Sequence, residues 1–258
     1  MRSSVFLRRS HGIALAAVTS ASLVFAGASA HADVKICQAL EQRYEQIERG
    51  ATTLEVNAML FSATEKGCEP LAKKLLNAGA SLEARDGRGF NPLARAAKSG
   101  QKEIVALFLD RGAQIDARSL EGATALYEAA ETGRLPIVRE LVDRGANIGL
   151  AGRSGITPLA AAAYMGSEAI VELLIEKGAD PKIMDKTEKT AIVYAAGRGF
   201  PDIVNLLLDH GVDINARYGN DLTVLMWAAG YSDEAGTQDM EKVIKLLLDR
   251  GARVDDQD

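Results

Sequence analysis

Glycines that recur every 33 residues constrain this chain more tightly than any other feature. Gly79, Gly112, Gly145, Gly178 and Gly211 stand 33 apart, and Gly251 follows after 40. Their surroundings are near-copies of one another: LLNAGA, LFLDRGA, ELVDRGA, LLIEKGA, LLLDHGV and LLLDRGA. Self-similarity at a fixed period of this size is the mark of a solenoid, in which each unit is too small to bury its own apolar side and does so by stacking. The 258 residues therefore read as one elongated array and not as two globular domains.

Each unit reads as two short helices and a turn. TPLAAAAYMG (157–166) opens with Pro158, which fits a helix start because its missing N–H would be unsatisfied there anyway. The alanines after it let backbones approach closely. SEAIVELLIEKGA (167–179) then spaces Ile170, Val171, Leu174 and Ile175 as one helical stripe. Ser167 and Glu168 suit its first turn and Lys177 its last, where charges complement the helix dipole. Gly178 falls where a helix ends in the left-handed region, which a residue lacking Cβ enters at no steric cost. The recurrent glycines are thus punctuation. GRG (87–89) is only a fragment of a phosphate-binding loop and has no strand before it.

The unit openings are DGRGFNPLARAA (86–97), SLEGATALYEAA (119–130), GRSGITPLAAAA (152–163), DKTEKTAIVYAA (185–196) and YGNDLTVLMWAA (218–229). With the period and the Gly-Ala endings, they make residues 51–258 resemble the ankyrin repeat family, whose unit is about 33 residues long. The resemblance implies an all-α solenoid of helix–turn–helix units with β-turn or hairpin tips. One departure is uniform. The histidine of the family's opening, which helps tie neighbouring units, is replaced by Ala94, Tyr127, Ala160, Val193 and Met226.

The organisation expected is a signal peptide over 1–32, then an N-terminal cap helix and degenerate first repeat over 33–85. Repeats follow over 86–118, 119–151, 152–184 and 185–217, with a C-terminal repeat over 218–258 that carries seven extra residues. In the cap, Cys37, Leu40, Tyr44 and Ile47 share one side of a helix.

Arg2, Arg8 and Arg9 precede an uncharged apolar run from Gly12 to Ala30, and small residues flank cleavage points after Ala30 and Ala32. This is the form of a secretory leader. A membrane anchor is the rival, since the run is just long enough to span, but its Ser and Thr residues and the cleavage points favour removal. A periplasmic or secreted protein is expected, monomeric and with no membrane anchor once the leader is cleaved. Loss of the leader leaves 27 basic and 35 acidic residues, net −8, which offers no electrostatic case for nucleic acid. Cys37 and Cys68 are an even pair in an oxidising compartment, which reads as a disulfide; a redox or reactive thiol is the alternative.

Candidate chemistry is sparse. His11 and His31 belong to the leader and its cleavage region, and His210 takes a slot filled by Arg111, Arg144, Lys177 and Arg250 in other units, so it reads as an exposed helix-end group. Asp110, Asp143 and Asp209 recur at one place per unit and read as helix-end surface. No cysteine–histidine cluster has metal-ligand spacing. No cofactor, metal site or catalytic set is expected, and the chain reads as a non-catalytic binding module.

In ankyrin-like stacks the inner helices and turn tips line a concave face used for partners, and here the variable columns change character along the chain. Arg95, Lys98, Glu128 and Glu131 stand in the early units; Tyr164, Met165, Tyr194, Arg198, Trp227 and Tyr231 stand in the late ones. Tyr, Trp and Arg dominate interface hot spots. These six residues are the candidate site for a protein partner; a small ligand or cell-wall glycan held by the Tyr/Trp patch is the alternative. Tyr194 and Trp227 could equally serve as packing between inner helices. Arg85, Arg88, Arg118, Arg153 and Arg217 form a possible basic ridge along the tips, or simply solvated charge.

Overall fold

The computed structural model describes residues 21–230 and 237–254. Residues 1–20 of the expected leader, and Tyr231 to Gly236 with the polar loop of the insertion, lie outside the described residues. Helix α1 (Ala21–Ile47) runs unbroken past residues 30 and 32 and is followed by α2 (Thr53–Glu65) and α3 (Glu69–Asn77). The regular units supply α4 (Pro92–Ser99) and α5 (Lys102–Asp110), α6 (Ala125–Glu131) and α7 (Leu135–Asp143), α8 (Pro158–Tyr164) and α9 (Glu168–Glu176), and α10 (Ala191–Gly197) and α11 (Pro201–Asp209). The last unit has α12 (Val224–Gly230) and α13 (Thr237–Asp249). Its tip is a minimal hairpin, β1 (Arg217–Tyr218) against β2 (Leu222–Thr223), with Arg217 opposite Thr223 and Tyr218 opposite Leu222. The all-α repeat solenoid expected from the sequence is the fold observed.

Local chemistry explains where the helices begin and end. The threonine or asparagine of each opening is an N-cap: side chains of Asn91, Thr157 and Thr124 accept from the N–H three residues on, at 2.8, 3.2 and 3.2 Å. Such a cap is worth about 1 kcal/mol. Thr52 and Glu55 form a reciprocal capping box that starts α2, so the degenerate first unit has its own start signal. At the other end, the six periodic glycines all take φ between +78° and +94°.

Two rows of helices result. α2, α4, α6, α8, α10 and α12 pack successively as one row, and α3, α5, α7, α9, α11 and α13 as the other. The paired alanines permit the close approach within the first row: Ala96, Ala97, Ala129, Ala130, Ala162, Ala163, Ala195 and Ala196 are all 0 % exposed. The second row is held by a repeated apolar triplet, Ile104/Val105/Phe108, Ile137/Val138/Leu141, Ile170/Val171/Leu174 and Ile203/Val204/Leu207, all buried. Each such side chain contributes about 1.5–3 kcal/mol relative to exposure. Packing also replaces the missing histidine, since Ala94, Tyr127, Ala160 and Val193 are buried. Tyr127 lies over the next unit at Gly152, where a Cβ would come within 2.7 Å of the ring, so only glycine fits that position without displacing it.

The N-terminal end is closed covalently. Tyr44 is buried, with Cys37, Leu40 and Ile47 partly buried against the same core, which is the helix side expected. Cys37 and Cys68 form a disulfide with their Cα atoms 5.3 Å apart, tying α1 to the start of α3.

Candidate partner-binding site

Late in the first row, four of the expected site residues converge. Tyr164 ends α8, and its ring meets that of Tyr194 on α10 edge-on, with centroids 5.7 Å apart. Arg198, the C-cap of α10, lies over the Tyr164 ring at 4.6 Å and donates from Nη1 to its hydroxyl at 3.2 Å. Trp227 on α12 completes the group. These side chains, with Lys189, Val193 and Gly197, line one small cleft. Met165, 47 % exposed, follows Tyr164 but does not line it. Tyr231 belongs to the segment outside the described residues.

Two residues that the column comparison passed over organise this cleft. Asp185 is buried, accepts from the Tyr194 hydroxyl through Oδ2, and takes Thr187 Oγ1 at 2.7 Å and the backbone N–H of Thr187 and Lys189 at 2.6 and 3.2 Å through Oδ1. Burial pushes its carboxyl upward, but these donors outweigh burial and hold it below the usual carboxylate range. Lys189 places its ammonium 4.5 Å from the Trp227 ring and 5.9 Å from that of Tyr194. The signal for Lys189 was present: its column holds Phe90, Ala123, Ile156 and Leu222 in the other units, and only this unit puts a charge there.

The same row in the early units is organised by acids and bases. Arg95 pairs with Asp86 and lies 3.4 Å from Glu65. Lys98 reaches Glu128 at 2.6 Å and Glu131 at 4.0 Å. Glu128 is fully buried, with Oε1 making no hydrogen bond. Burial raises its carboxyl above the usual range, although Lys98 opposes the shift.

The tip arginines act within the stack. Arg85 donates from Nη1 to the carbonyls of Gly89 and, one unit on, Arg118, both at 3.1 Å; Arg118 donates from Nη2 to that of Ala151 at 2.7 Å. Arg217 reaches the carbonyl of Asp221 at 2.5 Å, and Arg153 pairs with Glu121 of the preceding unit at 2.7 Å. Arg88 is exposed, and its carbonyl accepts from Leu120 N at 3.3 Å. Four of the five guanidinium groups of the expected ridge thus engage the protein's own carbonyls or carboxylates, a role that the repeat comparison did not reveal. The series of carbonyl rungs stops where Ala151 and Met184 replace the arginine.

The family described as Ankyrin repeats (3 copies) matches four overlapping stretches of the chain, residues 27–119, 59–152, 116–185 and 159–258. The chain belongs to the ankyrin repeat family. No curated protein matches it. Ankyrin repeats are in general protein–protein interaction modules and typically non-catalytic. In this ankyrin stack, among the described residues, no group of three or more His, Cys, Asp or Glu side chains is placed to hold a metal ion, and no helix is long and apolar enough to cross a membrane. His210 is exposed at the end of α11, with Nδ1 2.8 Å from the Leu206 carbonyl.

Proposed function

We propose that this ankyrin protein is a non-catalytic recognition module that binds a partner protein on the concave face of its late repeats. The observation that carries the reading is the convergence of Tyr164, Tyr194, Arg198 and Trp227 on one cleft, although they come from three units of the chain. The rings supply large contact area with few rotatable bonds, and a hydrogen bond and ring contacts already hold Arg198 in place beside them. Little side-chain order then remains to be imposed on binding, which favours affinity. The reading also places the mature protein outside the cytosol, in a periplasm or secreted; the leader-like first 32 residues and the Cys37–Cys68 bridge support it.

The test is a cross-linking capture from the exported fraction, comparing wild type with Tyr164→Ala/Arg198→Ala/Tyr231→Ala. A protein captured by the wild type and lost in the folded variant is the expected result. Identical captures from both would move the site elsewhere, and capture of purified cell wall instead of protein would replace this reading by the glycan one. N-terminal sequencing of the exported protein should begin at His31 or Asp33.

A further inference from the structure

We infer that the partner presents a carboxylate side chain to Lys189, beside an apolar or aromatic residue that enters the cleft; this rests on the protein-binding reading above. Lys189 is the single charged residue of a column otherwise made of Phe90, Ala123, Ile156 and Leu222, so the fold does not require a cation there. Among the described residues no acid lies within ion-pair distance of its ammonium, whose neighbours are the rings of Trp227 and Tyr194. Asp185, four residues earlier, has its oxygens taken by Tyr194, by Thr187 and by two backbone N–H groups.

The position of Lys189 matters as much as its contacts. It lines both the aromatic cleft and a second, polar cleft bounded by Lys186, Thr187, Glu188, Gly219 and Asn220 at the tips, and it shares both with Trp227. A chain crossing from the inner helices to the tips would pass this ammonium. The two rings beside it hold the cation in place, so a carboxylate arriving there meets a preoriented charge. The rings beside it accept the apolar neighbour. The two surfaces together select an acidic residue next to an aromatic or aliphatic one, on a protein segment in extended form.

A random peptide library displayed on phage is selected against the intact chain, its Lys189→Leu variant, which restores the apolar residue usual for the column, and Lys189→Arg. Circular dichroism establishes that all three are folded. Wild type should enrich peptides with Asp or Glu at a fixed distance from an aromatic or aliphatic residue. A synthetic peptide from that pool should bind Lys189→Leu about tenfold more weakly and Lys189→Arg nearly as well as wild type, as expected for one charge-assisted contact. Changing its acid to the amide should produce the same loss in wild type and no further loss in Lys189→Leu. Enriched peptides with no acidic preference, or an amide penalty equally large in Lys189→Leu, would overturn the carboxylate inference and leave the protein-binding cleft intact. Failure to enrich any sequence family would overturn both.

Discussion

The early and late units use one scaffold and fill it with opposite chemistry. The column that holds Arg95 and Glu128 in two early units holds Tyr194 and Trp227 in two late ones. Early, each charge meets another: Glu65, Arg95 and Asp86 form one chain of ion pairs, and Lys98 lies between Glu128 and Glu131. Late, the ammonium of Lys189 lies over the ring of Trp227, and among the described residues no acid pairs with it. An ion pair neutralises both partners, whereas a cation on a ring keeps its full charge for a third group. The early charges are therefore closed electrostatically, while the Lys189 charge in the late units stays available, on one repeated scaffold. The N-terminal end is closed covalently as well.

Reducing that closure should have the largest effect. Cys37→Ser/Cys68→Ser removes a link across 31 residues of separation and should cost about 3–4 kcal/mol in the chain-entropy account, with hydrogen exchange rising most in α1 to α3. If exchange rose equally in α12 and α13, the two ends would not differ in the way described.

Next in size is Lys98→Met, which leaves Glu128 buried beside Glu131. It should cost about 2 kcal/mol by denaturant unfolding, less than for a wholly buried pair because Lys98 is 28 % exposed and Glu128 can take up a proton. The pH dependence has a definite sign. The folded carboxyl of Glu128 lies above its unfolded value of 4.5, so its contribution is fully present below pH 4.5 and lost as pH rises through the folded value. The stability of wild type relative to Glu128→Gln should fall over that window.

Asp185 sharpens the contrast because its sign is opposite. Its folded value lies below the unfolded 3.8, so its contribution is present above that pH and lost on acidification through the folded value. Tyr194→Phe removes the hydroxyl it accepts from and should cost about 1–2 kcal/mol at neutral pH, with the penalty vanishing in acid. A penalty constant with pH would mean that the ring alone, and not its hydrogen bond, holds the late face together.

The smallest effect is expected at the helix ends. Arg144 pairs with Asp110, Lys177 with Asp143 and Arg250 with Asp209, each reaching back one unit, and His210 interrupts this ladder opposite Glu176. His210→Arg should restore a rung and raise the thermal midpoint by about 1 °C, as exposed pairs contribute little.

Much of the candidate site was legible from the column comparison, but not its organisation. Tyr164, Tyr194, Arg198 and Trp227 stood out because they depart from their repeated context. Lys189 departs as clearly, yet its meaning depends on Trp227, 38 residues away, and no spacing rule within a unit connects the two. Asp185 matches Asp86 of the first regular opening and reads as turn chemistry, although one meets a tyrosine and the other an arginine nine residues on. The tip arginines share a column with period 33, which suggests a ridge; only the stacking shows that the carbonyl of the next unit lies within reach.

What the sequence by itself determined is everything that repeats: the period, the caps, the glycine stops, the alanine and aliphatic stripes, and so the two rows of helices. These depend on interactions within a few residues, or between copies of one pattern, and a single unit contains the information. What only the tertiary structure decided is the fate of each charge. Whether a lysine meets a glutamate, a ring or a carbonyl depends on which side chain the neighbouring unit brings alongside it, 30 to 40 residues away in the chain. Burial and the donors at hand then set what that meeting does to the charge, raising the Glu128 carboxyl and holding that of Asp185 low.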